Sequence, residues 1–209
     1  MNIKICGLFR DEDINYVNEI RPDYAGFVFA ASSRQVSPVL AQYLRFRLAN
    51  EVIPVGVFVN APIAQIVELY RNNIISIAQL HGKEDESYIK QLKKLSEVSI
   101  RQTKIPAIKV IKTLFPGSDS WLKNVPDNAD YYMVDSGAGS GKTFNWDKLK
   151  SIKFSKPWFL AGGINTENIE KAIKYKPFAI DVSSGAETDG IKDRQKILEL
   201  VTAVKGKNK

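Results

Sequence analysis

The chain has 209 residues, 44% hydrophobic and 25% charged, an ordinary globular composition with ample length for a core. Its one cysteine excludes an internal disulfide and any multi-cysteine metal site, and its one histidine excludes a histidine-rich metal centre. The net charge of +7 is spread over scattered lysines without an arginine run, which favours a solvated surface over a nucleic-acid interface. The first element begins at once: the N-terminus MNIKICGLFRDED is charged early, and no apolar run approaches a membrane span. These features predict no signal peptide, no membrane partner and a cytoplasmic location.

Short β-rich runs follow one another at 2–6 (NIKIC), 24–29 (YAGFVF), 53–58 (IPVGVF), 75–81 (ISIAQLH), 107–112 (AIKVIK), 131–135 (YYMVD), 157–163 (PWFLAGG) and 178–184 (FAIDVSS). Several are almost continuously apolar, as strands buried on both faces should be. Between them lie stripes with helical spacing: Ile14, Val17, Ile20; then Ile63, Ile66, Val67, Tyr70; then Ile89, Leu92, Leu95; and last Ile197, Leu200, Val201, Val204. Asp11, Asn60 and Thr166 are expected at or near helix caps, and Pro38 and Pro62 in first turns. Strands alternating with helices indicate βαβ units and a parallel sheet. Eight units of about 26 residues predict an α/β fold, a (β/α)8 TIM barrel with eight parallel strands, one domain over 1–209. An open doubly wound sheet is the alternative. The first strand–helix junction, CGLFRDED, lacks the G-x-G-x-x-G of its dinucleotide-binding version.

In such a barrel the chemistry sits at the C-terminal ends of the strands. There the chain places Cys6, Arg34 in the loop 30–36, Asn60, His81, Lys112, Asp135, Gly162-Gly163 and Ser183-Ser184-Gly185. Cys6 reads either as a small buried hydrophobe or as a reactive thiol, and the adjacent Gly7 leaves room for close approach. Lys4 shares its strand face. Asp135, desolvated at the barrel mouth, could keep a proton and act as an acid, or could simply cap a turn. The Arg34 fork suits a substrate carboxylate. His81 reads as a structural histidine bonded to neighbouring loops, or as a ligand contact. AGGIN (161–165) and DVSSG (181–185) lie in the loops after the seventh and eighth strands, where barrels bind phosphate. GAGSGKT (137–143) resembles a P-loop but has three residues, not four, between Gly137 and Gly141. It is expected to be a loop over residues 136–143 that closes on the site, not an ATPase motif.

Taken together, KICG (4–7), GFVFAASSRQVSP (26–38), VGVFVN (55–60), QLHG (79–82), MVDSGAGSGKTFNW (133–146), LAGGINTENI (160–169) and DVSSGAETDGIKD (181–193) resemble the phosphoribosylanthranilate isomerase family in order and over essentially the whole chain. The resemblance implies an aldose–ketose isomerase of tryptophan biosynthesis that carries out an Amadori rearrangement. It implies a phosphorylated sugar substrate, no metal or organic cofactor, and a monomer or homodimer. It assigns the general base to Cys6, the general acid to Asp135, the anthranilate carboxylate to Arg34 and the phosphate to Gly162, Gly163, Ser183 and Ser184. His81 is a further candidate for substrate contact. Family members often carry an aromatic residue after the loop arginine; here it is Gln35. The rival readings are a histidine-pathway isomerase, expected to have an aspartate in place of Cys6, and an indole-forming synthase, for which Lys112 could serve as the lysine. A non-catalytic barrel and a nucleic-acid binder are the others.

Overall fold

A computed structural model describes residues 1–100, 103–116, 121–123, 125–135 and 146–206. Eight parallel strands close a barrel: β1 (Asn2–Cys6), β2 (Tyr24–Val28), β3 (Ile53–Phe58), β4 (Ile77–Leu80), β5 (Lys109–Leu114), β6 (Tyr131–Val134), β7 (Trp158–Leu160) and β8 (Ala179–Val182). Each pairs with its sequence neighbours, and β8 closes on β1 with Lys4 opposite Asp181 and Ile5 opposite Val182. The eight expected runs are these eight strands. The fifth begins and ends two residues later than its sequence run.

Around the barrel lie α1 (Asp11–Ile20), α2 (Pro38–Arg47), α3 (Ile63–Arg71), α4 (Glu86–Ser96), α5 (Ile169–Ile173) and α6 (Arg194–Lys205). Among the described residues no α-helix follows β5, and only a 3-10 turn, Trp146–Ser151, follows β6. Two antiparallel hairpins break the pattern: Val98–Ile100 with Thr103–Ile105, and Glu187–Thr188 with Ile191–Lys192. Most of the helical stripe residues are buried; Ile20, Ile63 and Tyr70 pack partly buried against the core, and Leu95 is 46% exposed at the end of α4. The caps differ in part. Pro38 opens α2 behind the Ser37 cap, as its fixed φ favours. Pro62, however, is itself the N-cap of α3, Arg10 caps α1, and Asn168 precedes α5. Asn60 instead adopts a left-handed φ of 50° and accepts a hydrogen bond from the Lys83 amide at 2.8 Å, tying two loops of the barrel mouth together.

Strand periodicity divides the side chains into two sets. Ile3, Ile5, Ala78, Leu80, Val110, Val134, Leu160, Ile180 and Val182 point outward and join the helices in the main core. Tyr24, Val55, Ile77, Ile111, Met133, Phe159, Ala161 and Ala179 pack inside the barrel. Phe159 lies at the centre of this floor, edge-on to Tyr24 and Tyr131. One period nearer the C-terminal mouth, on the same inward faces, the sequence turns polar at Lys4, Gln79, Thr113 and Asp181. One further step brings Cys6, His81, Asp135 and Ser183 to the rim. The barrel is therefore an apolar plug beneath a buried polar layer, with the reactive groups on top.

Candidate active site

Cys6 ends β1 and is buried. Its register partner is Gly26 on β2, and the missing side chain there makes room. A Cβ on Gly26 would lie 2.7 Å from Cys6 Sγ and 3.1 Å from Lys4 Nζ, so thiol and ammonium share the space above this glycine. Lys4 is completely buried and donates to Asp181 Oδ1 at 2.8 Å. Burial works against the Lys4 charge, but the Asp181 carboxylate and the Cys6 sulfur more than offset it and hold the ammonium above the ordinary lysine range. Burial pushes the Cys6 thiol up, Lys4 pulls it down, and Asp181 adds to the rise; the net direction is up.

Arg34 reaches across the mouth to the hairpin after β8. Its Nε and Nη2 donate to the two carboxylate oxygens of Glu187 at 2.7 and 2.6 Å, a bidentate pair that does not use Nη1. The buried Lys192 ammonium bonds the same carboxylate and donates to the Ser183 carbonyl at 3.1 Å. The side chain of Arg34 passes over Gly7: a Cβ there would lie 2.5 Å from Arg34 Cδ, and Gly7 has a left-handed φ of 81° that suits glycine. Gln35 bonds the Phe29 carbonyl through Nε2 at 3.2 Å, closing the base of the loop.

His81 and Asp135 come together on the β4–β6 side, with Nε2 3.7 Å from Asp135 Oδ2. His81 Nδ1 is 3.3 Å from Gln79 Nε2 and 3.1 Å from the Thr113 hydroxyl, and its ring stands edge-on to Phe115. The Gln79 amide nitrogen also faces Met133 Sδ at 3.2 Å, so as a donor it leaves Nδ1 to accept and Nε2 to carry the proton toward Asp135. Burial pulls the His81 pKa down to about 4.

The two glycine-serine turns are locked together. Gly162 and Gly163 have φ of 88° and 66°. Asn165 bridges to Gly185, and Gly185 presses so closely on the Ile164 carbonyl that a Cβ would lie 1.9 Å from its oxygen. Asn168 Nδ2 donates to the Gly163 carbonyl at 2.9 Å, and the Ser183 hydroxyl donates to the Cys6 carbonyl at 3.2 Å. Ser184 is exposed beside them. Both turns therefore open on the same corner, next to Cys6.

Lys112 faces outward. It is buried under the β4–α4 loop, donating to the Gly82 carbonyl at 2.7 Å and to Glu84 Oε2 at 3.0 Å. Glu84 in turn accepts from the Asn60 and Gly82 amides. This network shapes the rim and does not face the mouth. The GAGSGKT segment lies outside the described residues. Among the described residues no group of three or more His, Cys, Asp or Glu could hold a metal ion. The sequence reading missed Asp181, Glu187, Lys192, Gln79 and Thr113. For Asp181, Gln79 and Thr113 the signal is the inward period of the strand, which marks a polar residue within an otherwise apolar run; Glu187 and Lys192 lie in the hairpin after β8, outside that period.

Comparison with known proteins places the whole chain in one family. The family model described as N-(5'phosphoribosyl)anthranilate (PRA) isomerase matches residues 3–203. The N-(5'-phosphoribosyl)anthranilate isomerase of Endomicrobium trichonymphae is 43% identical over 205 residues, covering 95% of this chain and 96% of that protein. A structure described as monomers of the dimeric phosphoribosylanthranilate isomerase from Thermotoga maritima superposes with a TM-score of 0.79 at 30% identity, covering 99% of both chains. A structure of phosphoribosyl anthranilate isomerase with reduced 1-(o-carboxyphenylamino)-1-deoxyribulose 5-phosphate does so with a TM-score of 0.79 at 29% identity, again over 99% of both. From its barrel, its rim residues and these matches along its length, the chain belongs to the N-(5'-phosphoribosyl)anthranilate isomerase family.

Proposed function

We propose that the chain converts N-(5-phosphoribosyl)anthranilate to 1-(2-carboxyphenylamino)-1-deoxyribulose 5-phosphate, with Cys6 as general base and Asp135 as general acid. The observation that carries the reading is the pairing at the mouth. A thiol beside a buried ammonium ends β1, and three strands away around the barrel a half-buried carboxylate follows β6. Asp135 protonates the furanose ring oxygen, the bond from that oxygen to C1 breaks, and a Schiff base with the anthranilate nitrogen forms. Cys6, as thiolate, takes the proton from C2, and the electron pair moves to give an enolamine. A proton delivered to C1 and loss of the enol proton complete the ketone. The atoms are rearranged without net oxidation, so the chemistry calls for an acid and a base only.

The remaining groups are assigned to binding. Arg34 Nη1 meets the anthranilate carboxylate while Glu187, itself bonded by Lys192, holds the guanidinium in place. The turns at Gly162-Gly163 and Ser183-Ser184 take the phosphate, and neutral His81 donates from Nε2 to Asp135 or to the substrate. An aspartate in place of Cys6 would have favoured the histidine-pathway isomerase, and Lys112 is committed to Glu84 and so is not the lysine of an indole-forming synthase. No helix among the described residues is long and apolar enough to cross a membrane. A cytoplasmic monomer or homodimer completes the reading. The test is product identity. The substrate, an N-glycoside, releases anthranilate in mild acid, whereas the product is a secondary aryl amine and does not. Acid-stable material of unchanged mass is expected; free anthranilate alone would contradict the reading.

Two predictions probe these binding groups. Gly185→Ala pushes a methyl into the Ile164 carbonyl and parts the two turns. It is expected to raise KM for the phosphorylated substrate about tenfold or more, with a loss of ~1–3 kcal/mol in stability. An unchanged KM and an unchanged inhibition constant for inorganic phosphate would remove the phosphate from this corner. His81 has a folded pKa of about 4, below its ordinary value of 6.5, so the unfolded chain binds the extra proton first. Its contribution is fully present above pH 6.5 and is lost as pH falls toward 4, about 3 kcal/mol in all. Urea unfolding of His81→Asn should lack this part of the acid destabilisation; an identical pH dependence in both proteins would show that His81 is not held neutral.

A further inference from the structure

We propose that Lys4 and Asp181 form a positioning pair that sets the protonation of Cys6, Lys4 as the counter-ion of the thiolate and Asp181 as the opposing charge that keeps the resting thiol protonated. This rests on the reading of Cys6 as the base and adds what controls it. The geometry is specific. Lys4 lies two residues before Cys6 on the same inward face, its ammonium is wholly enclosed, and the β1–β8 register sets Asp181 directly opposite. The ammonium donates to Asp181 at 2.8 Å and also approaches the sulfur over the bare backbone of Gly26.

The other charged groups around the sulfur are already committed. Arg34, from the loop after β2, and Lys192, from the hairpin after β8, both bond Glu187, and His81 faces the Lys4–Asp181 pair from β4 as a neutral ring. Lys192 also pulls the thiol down, but more weakly than Lys4, which stands between Cys6 and the Asp181 carboxylate. Because Asp181 and the sulfur hold it charged, Lys4 has no lone pair to offer and is not itself the base. The charge count explains the design. With Cys6 as thiol the buried trio is neutral; with Cys6 as thiolate it carries one net negative charge in a water-poor interior. The resting thiol is therefore favoured, and the thiolate, once formed, is strongly basic, as removal of a proton from carbon requires. The positive nitrogen of the ring-opened Schiff base supplies the missing charge and tips the trio toward the thiolate when the substrate is in place.

The experiment follows the ultraviolet absorbance of the Cys6 thiolate against pH in the unliganded protein. Cys6 is the only cysteine, so the signal belongs to it, and Cys6→Ser is the blank. Lys4→Met should move the thiol titration up by about one pH unit or more, and Asp181→Asn should move it down by a similar amount. The rising limb of kcat/KM with pH should follow in the same two directions, and Lys4→Arg should return the titration toward wild type. A purely structural role gives no reason for opposite shifts. Titrations unmoved in both variants, or moved in the same direction, would overturn the proposal. If Lys4→Met does not fold, Asp181→Asn still has its lysine and decides the question by the sign of its shift. Full turnover by Cys6→Ser would instead remove Cys6 as the base, a separate failure that the thiol titration does not share.

Discussion

Cys6→Ser is expected to lower kcat about a thousandfold while affinity for the reduced product analogue stays within a few-fold of wild type. Serine keeps the size and hydrogen bonding of the thiol but not its acidity. At the end of β1 the Lys4 ammonium can stabilise a thiolate; an alkoxide lies too far up the pH scale for one neighbouring ammonium to reach. With Cys6 as the proposed base, the C2 proton then has no acceptor, although the two glycine turns and Arg34 are untouched. Cavity effects are small because one sulfur is exchanged for one oxygen. Initial rates of anthranilate-fluorescence decay measure the loss. A fall of less than tenfold would mean that another group removes the proton.

Asp135→Asn should fail at the other end of the reaction. Asparagine matches the carboxyl group in shape and can still approach His81, but it carries no acidic proton for the furanose ring oxygen. Ring opening is then left to water, and kcat is expected to fall by about 10²–10⁴. The reduced product analogue is already ring-opened and should bind this variant nearly as well as wild type. The contrast between turnover and analogue binding separates loss of the acid from a collapsed site. Retained turnover in Asp135→Asn would place the acid elsewhere on the rim.

The barrel was legible because each strand is an apolar run of its own, and a run buried on both faces needs no partner information to be seen. Cys6, Asp135, Arg34 and the two glycine turns were legible because strand ends define the mouth once the strands are known. The supporting layer was not. Asp181 is quoted in every reading of DVSS, yet its partner is 177 residues away, and only closure of β8 on β1 brings Lys4 against it. Glu187 sits in a hairpin that interrupts the strand–helix alternation, so a periodic pattern passes over it. Gln79 and Thr113 mark the inward face of β4 and β5, which becomes visible only when the register is fixed. The helix starts were legible at Pro38 and beside Asp11 but not at Asn60, which resembles a cap in sequence while its side chain is taken by the Lys83 amide.

The most direct test of the central claim is fluorescence decay of freshly generated phosphoribosylanthranilate with the wild-type protein, with and without the reduced product analogue. The account predicts decay proportional to protein concentration, suppressed competitively by the analogue. Decay no faster than spontaneous hydrolysis in buffer would contradict it.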